Sequence, residues 1–241
     1  MTADEIAQGK VAGLRVSALI LAGGQSRRMG QDKAFIPFDG APLVARVLAR
    51  VQPICAETII VANDAERYAQ FGTRIVGDVF PGKGSLGGIY SGLAAAQAPY
   101  GLVVACDMPF LNHDLMCYMM SLAPEYQVVI PRAKDPSGKS PRRRLPLGSH
   151  EGAANEHPDW IPAKRIDLHP THAIYSRECL PTMQASLQRD DLRVISIMDK
   201  LRVRIVEADE VDRFDPQHLS FFNMNTPQDL EFARRLAEGA P

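Results

Sequence analysis

Apolar and polar positions change rhythm block by block along the chain. Short apolar runs closed by Gly, Pro, Asn or Asp alternate with longer segments in which apolar residues return every third or fourth position. A strand buried on both faces reads as an unbroken apolar run, and an amphipathic helix reads as a 3.6-residue period. The alternation therefore predicts an α/β fold: a mainly parallel, Rossmann-like sheet with helices on both faces, in a single domain. Strands are expected at 16–21, 58–62, 74–76, 101–106 and 127–131, and in the C-terminal third at 173–176, 203–207 and 220–224. Leu43, Val44, Val47, Leu48 and Val51 recur at helical spacing after Pro42, a residue suited to a first turn. Further helices are expected at 64–71, 87–97, 112–122 and 227–238, the last with Thr226 as N-cap and Pro227 at its first position.

One segment breaks the rhythm. Residues 134–166 open with KDPSGKSPRRRLPLGSHEG and show neither period, so they read as a flexible insertion in a domain spanning 15–238, after a tail at 1–14. The basic run Arg142–Arg144 sits inside it. A solvated surface and a flap that meets an anionic substrate are both compatible with that run.

Composition narrows the function classes. Of 241 residues, 46% are hydrophobic and 23% charged, as in an ordinary globular protein, and the formal net charge is -1. No global field draws such a chain to nucleic acid or to an anionic membrane. No apolar run approaches the ~20 residues of a membrane span. The opening MTADEIAQGK is acidic and polar, so a cytoplasmic location is expected. Cys55, Cys106, Cys117 and Cys179 form no CxxC pair and read as buried free thiols.

Chemistry concentrates in LILAGGQSRRMGQDKAF, residues 19–35. A strand that empties into glycines turns consecutive backbone N–H groups outward and lets an anion approach without a Cβ in the way. Gly23, Gly24 and Gly30 supply the turn, while Arg27, Arg28 and Lys33 add positive charge around it. That pattern suits a polyphosphate; a tight turn flanked by three solvated cations is the plainer alternative. A second apolar run at 101–106 ends in Asp107, Met108 and Pro109. A carboxylate at the tip of a central strand lies where α/β folds place ligands, and its hard oxygen suits Mg²⁺; it could equally cap the next turn. The segment GDVFPGKGSLGGI, residues 77–89, begins like a P-loop and then departs from it. Gly84 stands where the magnesium-binding Ser or Thr belongs, and Pro81 removes an N–H from the cradle. No GxGxxG follows the first strand, so a dinucleotide fold is disfavoured. His169 and His172 lack a clear third ligand and read as structural.

Taken together, LAGGxSxRMGxDKA at 21–34, residues 78–89, CDMPF at 106–110 and NMNTPQDL at 223–230 resemble the molybdenum cofactor guanylyltransferases, nucleotidyltransferases of glycosyltransferase-A-like fold. The resemblance runs from Ser17 to about Ala237, in the family's order. Asp32 before Lys33 is part of it, since sugar-nucleotide and isoprenoid cytidylyl relatives usually carry proline there. The resemblance implies Mg²⁺-dependent transfer of GMP from GTP to the phosphate of molybdopterin cofactor, with release of pyrophosphate and transient contact with molybdoenzymes or cofactor-delivery proteins. Leu21, Ala22, Gly23 and Gly24 are then the backbone that receives the nucleotide, Lys33 a phosphate-binding lysine, and Asn63 and Asp78 nucleotide contacts. Asp107 is implied as the magnesium ligand, Arg27 or Arg28 as the group that steadies the pyrophosphate, and Asn223 and Asn225 as residues near the acceptor. A cytidylyltransferase on the same acceptor, and a cofactor-binding carrier without chemistry, are the alternatives. The insertion departs from the family, which usually reaches its HPxHA-like run, here His169–Ala173, through a short turn.

Overall fold

The computed structural model describes residues 14–23, 32–134 and 166–237. Its strands are β1 (Val16–Leu21), β2 (Pro37–Phe38), β3 (Ala41–Pro42), β4 (Glu57–Val61), β5 (Arg74–Val76), β6 (Tyr100–Ala105), β7 (Val128–Lys134), β8 (Ile166–Leu168), β9 (His172–Ser176) and β10 (Val203–Val206). The helices are α1 (Leu43–Val51), α2 (Ala65–Tyr68), α3 (Gly84–Ala95), α4 (His113–Leu122), α5 (Leu180–Gln188), α6 (Ala208–Val211) and α7 (Pro227–Ala237). The main sheet runs β10-β7-β9-β6-β1-β4-β5, with β8 paired to β7. Pairing is parallel except where β9 meets β6 and β7 and where β8 meets β7.

Alternation within β1 divides the core. Ala18 and Ile20 point into a cluster with α1 and α4, whereas Leu19 points into a cluster with α3 and α5. Helices therefore cover both faces, which is why β1 and β6 are apolar at nearly every position. Helix α3 lies close because Gly92 has no side chain: a Cβ there would sit 2.9 Å from Val61 Cγ2. Asn112 caps α4 by accepting from Leu115 N at 2.9 Å. Thr226 Oγ1 accepts from Asp229 N at 3.2 Å, which makes it the expected cap of α7.

Register determines where the chemistry lies. Leu21 pairs with both Val61 and Ala105, and Val61 pairs with Val76, so β1, β4, β5 and β6 end level with one another. The ladder continues one residue further through Ala22 N to Val61 O (3.0 Å), Ala62 N to Val76 O (2.9 Å) and Cys106 N to Leu21 O (3.1 Å). Four segments distant in sequence thus leave the sheet at one carboxyl edge, where open α/β sheets bind ligands.

The expected strand at 220–224 does not form. Its apolar residues serve two clusters: Phe221 packs into the α1/α4 core, while Phe222 and Met224 join Ile36, Phe38 and Leu43 under α7. Leu219–Phe221 is instead a 3-10 turn entered from His218 at φ 57°, and the Asp215 carboxylate accepts from Leu219 N at 3.0 Å and Ser220 N at 2.7 Å, taking N–H groups that a strand would offer to a neighbour. Lys134 and Ile166, assigned to the insertion by sequence, instead face each other across the β7–β8 pair. Residues 135–165, including Arg142–Arg144, lie outside the described residues, as does the 1–13 part of the tail. Helices α5 and α6 and the 3-10 stretch Val194–Lys200 were absent from the sequence reading.

Candidate active site

A cleft of about 770 Å³ opens along the carboxyl edge. Leu21, Ala22 and Gly23 form one wall at the end of β1, and Lys33, Asn63, Asp78 and Asp107 contribute from four further segments. Gly24, Arg27 and Arg28 lie outside the described residues.

Lys33 opens a 3-10 turn, Lys33–Phe35, whose N-cap is Asp32. The Asp32 Oδ1 accepts from Ala34 N at 3.1 Å. From that turn Lys33 Nζ reaches Asp107 Oδ2 at 3.2 Å and also donates to Asn225 Oδ1. Asp107 sits just past β6, in the position its buried strand predicted. Burial raises its carboxyl above the ordinary carboxylate value, and Lys33 opposes that rise only in part.

The C-terminal segment reaches the same place. Met224 N donates to Asp107 O at 2.9 Å, and the buried Asp229 carboxylate accepts from Asn225 N (3.0 Å) and Thr226 N (2.8 Å). These bonds hold Asn225 against Lys33. Asn223 is turned aside: its Nδ2 donates to Phe221 O at 3.0 Å and its carbonyl accepts from Asn225 Nδ2 at 3.3 Å. Sequence reasoning grouped the two asparagines; the structure brings only Asn225 to the lysine.

Asn63 and Asp78 tie the ends of β4 and β5 together, since Asn63 Oδ1 accepts from Asp78 N at 2.8 Å. The Asp78 carboxylate also accepts from Phe80 N at 3.0 Å and from Ser91 Oγ at 2.9 Å. Asp78 thereby fixes the approach to α3 as well as lining the cleft. Gly82 (φ 79°) and Gly84 (φ 63°) adopt left-handed backbone that lets the chain turn sharply into α3. Gly82, Gly84 and Ser85 line the cleft at the start of α3, where unpaired N–H groups and the helix dipole favour an anion. Lys83 points elsewhere and pairs with Asp190 at 2.7 Å. The P-loop alternative thus loses its lysine.

The sequence reading missed Asp32, Asp64, Tyr68 and Ser85 as cleft residues. Level strand ends could have pointed to Asp64, one residue beyond Asn63; Tyr68 arrives through tertiary packing that no local pattern carries.

Among the described residues, no group of three His, Cys, Asp or Glu side chains could hold a metal. A Mg²⁺ ion usually keeps several waters and takes one or two carboxylates together with substrate phosphates. The single hard oxygen donor set of Asp107, in surroundings that disfavour its unbalanced charge, fits that mode. His172 is fully buried, with Nδ1 3.3 Å from Ser220 O and its ring 5.0 Å from Phe221. Cys106, Cys117 and Cys179 are buried free thiols, whereas Cys55 is half-buried. Burial pushes Cys55 and Cys179 to about 12 and Cys117 to about 11, so none of these three is a nucleophile at neutral pH. No helix among the described residues is long and apolar enough to cross a membrane.

The MobA-like NTP transferase domain family matches residues 18–204. The chain belongs to this family. It is accordingly a nucleotidyltransferase enzyme, and the cleft is the candidate seat of that activity. A probable molybdenum cofactor guanylyltransferase of Pelotomaculum thermopropionicum is 34% identical over 227 residues, 94% of this chain and 96% of the relative. A molybdenum cofactor guanylyltransferase of Desulfosudis oleivorans is 32% identical over 220 residues, 90% of this chain and 94% of that one. Among solved structures, molybdopterin-guanine dinucleotide biosynthesis protein A of Archaeoglobus fulgidus shares the MobA-like fold at a TM-score of 0.70 and 21% identity, covering 92% of this chain and 99% of its own. A 4-diphosphocytidyl-2C-methyl-D-erythritol synthase of Anaerococcus prevotii shares it at a TM-score of 0.65 and 17% identity, covering 95% and 98%. At these identities the structural likeness bears on the fold alone.

Proposed function

We propose that this MobA-like transferase moves GMP from GTP to the phosphate of molybdopterin cofactor in the cytoplasm, forming molybdopterin guanine dinucleotide and pyrophosphate. The observation that carries the reading is the convergence of Lys33, Asp107 and Asn225 at one point of a cleft that also receives the start of α3. The names of the similar relatives supply the acceptor and the base.

The chemistry asks little of the protein in covalent terms. A phosphate oxygen of the acceptor attacks the α-phosphorus, a new P–O bond forms, and the bond to the α,β-bridging oxygen breaks with its electron pair leaving on pyrophosphate. The acceptor is already an anion at neutral pH, so no general base or covalent nucleophile is required. Rate then comes from alignment and from neutralising the charge that gathers at phosphorus. Lys33, steadied by Asp107 and Asn225, is the cation placed for that task, and the N–H groups opening α3 offer a seat for a phosphate. Leu21, Ala22 and Gly23 present the backbone edge along which a nucleotide lies. When bound, Mg²⁺ supplies Lewis-acid neutralisation of phosphate charge, with Asp107 as its protein ligand. Arg27 and Arg28 belong to the reading as the groups that steady the leaving pyrophosphate, and the receiving molybdoenzyme as a transient partner.

The test is pyrophosphate release from GTP, CTP, ATP and UTP in turn, with and without molybdopterin cofactor. Release from GTP that depends on the acceptor is expected. Preference for CTP would move the protein to the cytosine dinucleotide form. Binding of nucleotide and acceptor without release from any nucleotide would make it a carrier.

A further inference from the structure

Tyr68 stands outside the phosphate-facing set, yet it joins two walls of the cleft. It closes α2, its side chain is 1% exposed, and its ring packs 5.0 Å from Phe35 and 6.3 Å from Phe71. Its hydroxyl lies 3.2 Å from Ala22 O and 3.2 Å from Asp32 Oδ2. One phenolic proton is thus shared between two acceptors, one directly after β1 and the other directly before Lys33.

Asp32 is gripped from other sides as well. Its Oδ1 caps the Lys33–Phe35 turn through Ala34 N, and Arg67 Nη1 lies 3.3 Å from its Oδ2. The Arg67 guanidinium rests 4.2 Å above the Phe35 ring of that same turn. A continuous path therefore runs from the sheet edge at Ala22, through the Tyr68 hydroxyl, to the Asp32 carboxylate and the backbone that launches Lys33. A lysine stem has four flexible carbons, so the place of its amine depends on where its backbone is anchored.

We propose that the Tyr68 hydroxyl and the Asp32 carboxylate form a positioning pair that sets Lys33 against Asp107 for transfer. The proposal rests on the transferase reading. Neither group touches the reacting atoms; both act through Lys33. Burial pushes the Tyr68 phenol up, so the hydroxyl keeps its proton throughout the working pH range.

The experiment measures kcat and KM for acceptor-dependent pyrophosphate release, with thermal melting in parallel, for Tyr68→Phe, Asp32→Ala, the two combined, and Tyr68→Phe added to Lys33→Ala. Tyr68→Phe keeps the ring packing and removes only the shared proton. Misplacement of a catalytic group by a fraction of an ångström to 1 Å costs up to about 10²-fold, so each single change should lower kcat roughly tenfold while KM for the nucleotide moves less than about twofold. Because the groups act as one unit, the combined variant should fall no more than about twofold below the slower single variant, and Tyr68→Phe should change the residual single-turnover rate of Lys33→Ala by less than about twofold. Full kcat in Tyr68→Phe, losses that multiply, or a fall in melting temperature with kcat unchanged would overturn the pair. If the unaltered chain released no pyrophosphate, the transferase reading would fall and this inference with it; an active unaltered chain with an equally active Tyr68→Phe defeats the inference alone.

Discussion

Replacing Asp107 with alanine separates what the site does for the fold from what it does for the reaction. Asp107 Oδ2 lies 3.2 Å from Lys33 Nζ, and the two side chains are only 14% and 19% exposed. Opposite unit charges at that distance attract by about 5 kcal/mol at an effective dielectric of about 20. Burial nevertheless outweighs that attraction, because the Asp107 carboxyl remains raised above its ordinary 3.8. Alanine removes that burial cost but also leaves the part-buried Lys33 ammonium without its counter-charge, so a modest fall in melting temperature is expected. The larger loss falls on the transition state. One preorganised electrostatic contact to reacting groups is worth about 2.7–4 kcal/mol, so turnover should drop by about 10²- to 10³-fold. Initial rates of pyrophosphate release at saturating GTP, acceptor and Mg²⁺ give the first number, and calorimetric melting gives the second. Turnover within tenfold of the unaltered enzyme would refute the reasoning, and so would a melting loss large enough to account for the missing activity.

Three further outcomes are expected. Lys33→Ala should lower kcat strongly, whereas Lys83→Ala, whose lysine pairs with Asp190 outside the cleft lining, should leave nucleotide affinity nearly intact; isothermal titration with GTP beside rate measurements checks both. Burial holds His172 at about 3 against an ordinary 6.5, with His169 adding to the depression and Ser220 O opposing it. The unfolded chain binds the proton first as pH falls below 6.5, so stability should decline by about 1.4 kcal/mol per pH unit from this group; urea titrations of the native chain and His172→Leu should diverge in pH slope, and parallel slopes would contradict the assignment. Gly92→Ala places a Cβ 2.9 Å from Val61 Cγ2, where overpacking of about 1–3 kcal/mol exceeds the roughly 1 kcal/mol gained in helix propensity, so a lowered urea midpoint is expected.

Much of this was legible because the physics is local. An apolar run such as Val16–Leu21 can be buried on both faces only in the middle of a sheet, and its expected bounds match the observed strand. Asp107 was legible for the same reason, as the first charge after a buried strand. Lys33 and Asp107, 74 residues apart, meet because parallel register brings the ends of β1 and β6 level. The misreadings turn on hydrogen-bond partners that apolar content does not show. Residues 220–224 look like a strand, but the Asp215 carboxylate takes the N–H groups of Leu219 and Ser220. Tyr68 looks like an ordinary core aromatic, and its hydroxyl gains meaning only from Ala22 and Asp32, which lie 46 and 36 positions away. Asn223 and Asn225 are two residues apart in one motif, yet hydrogen bonds to Asp229 and Asp107 select only the second for the lysine.

The central claim is that this cleft joins a nucleoside monophosphate to a phosphate acceptor instead of hydrolysing the nucleotide. Isotopic label at the α- and γ-phosphates of GTP, followed in separate reactions with molybdopterin cofactor and Mg²⁺, tests it most directly. The account predicts that α-label appears in a pterin dinucleotide and γ-label in pyrophosphate, both abolished by Asp107→Ala. Release of γ-label as orthophosphate, with no α-label reaching the pterin, would contradict it.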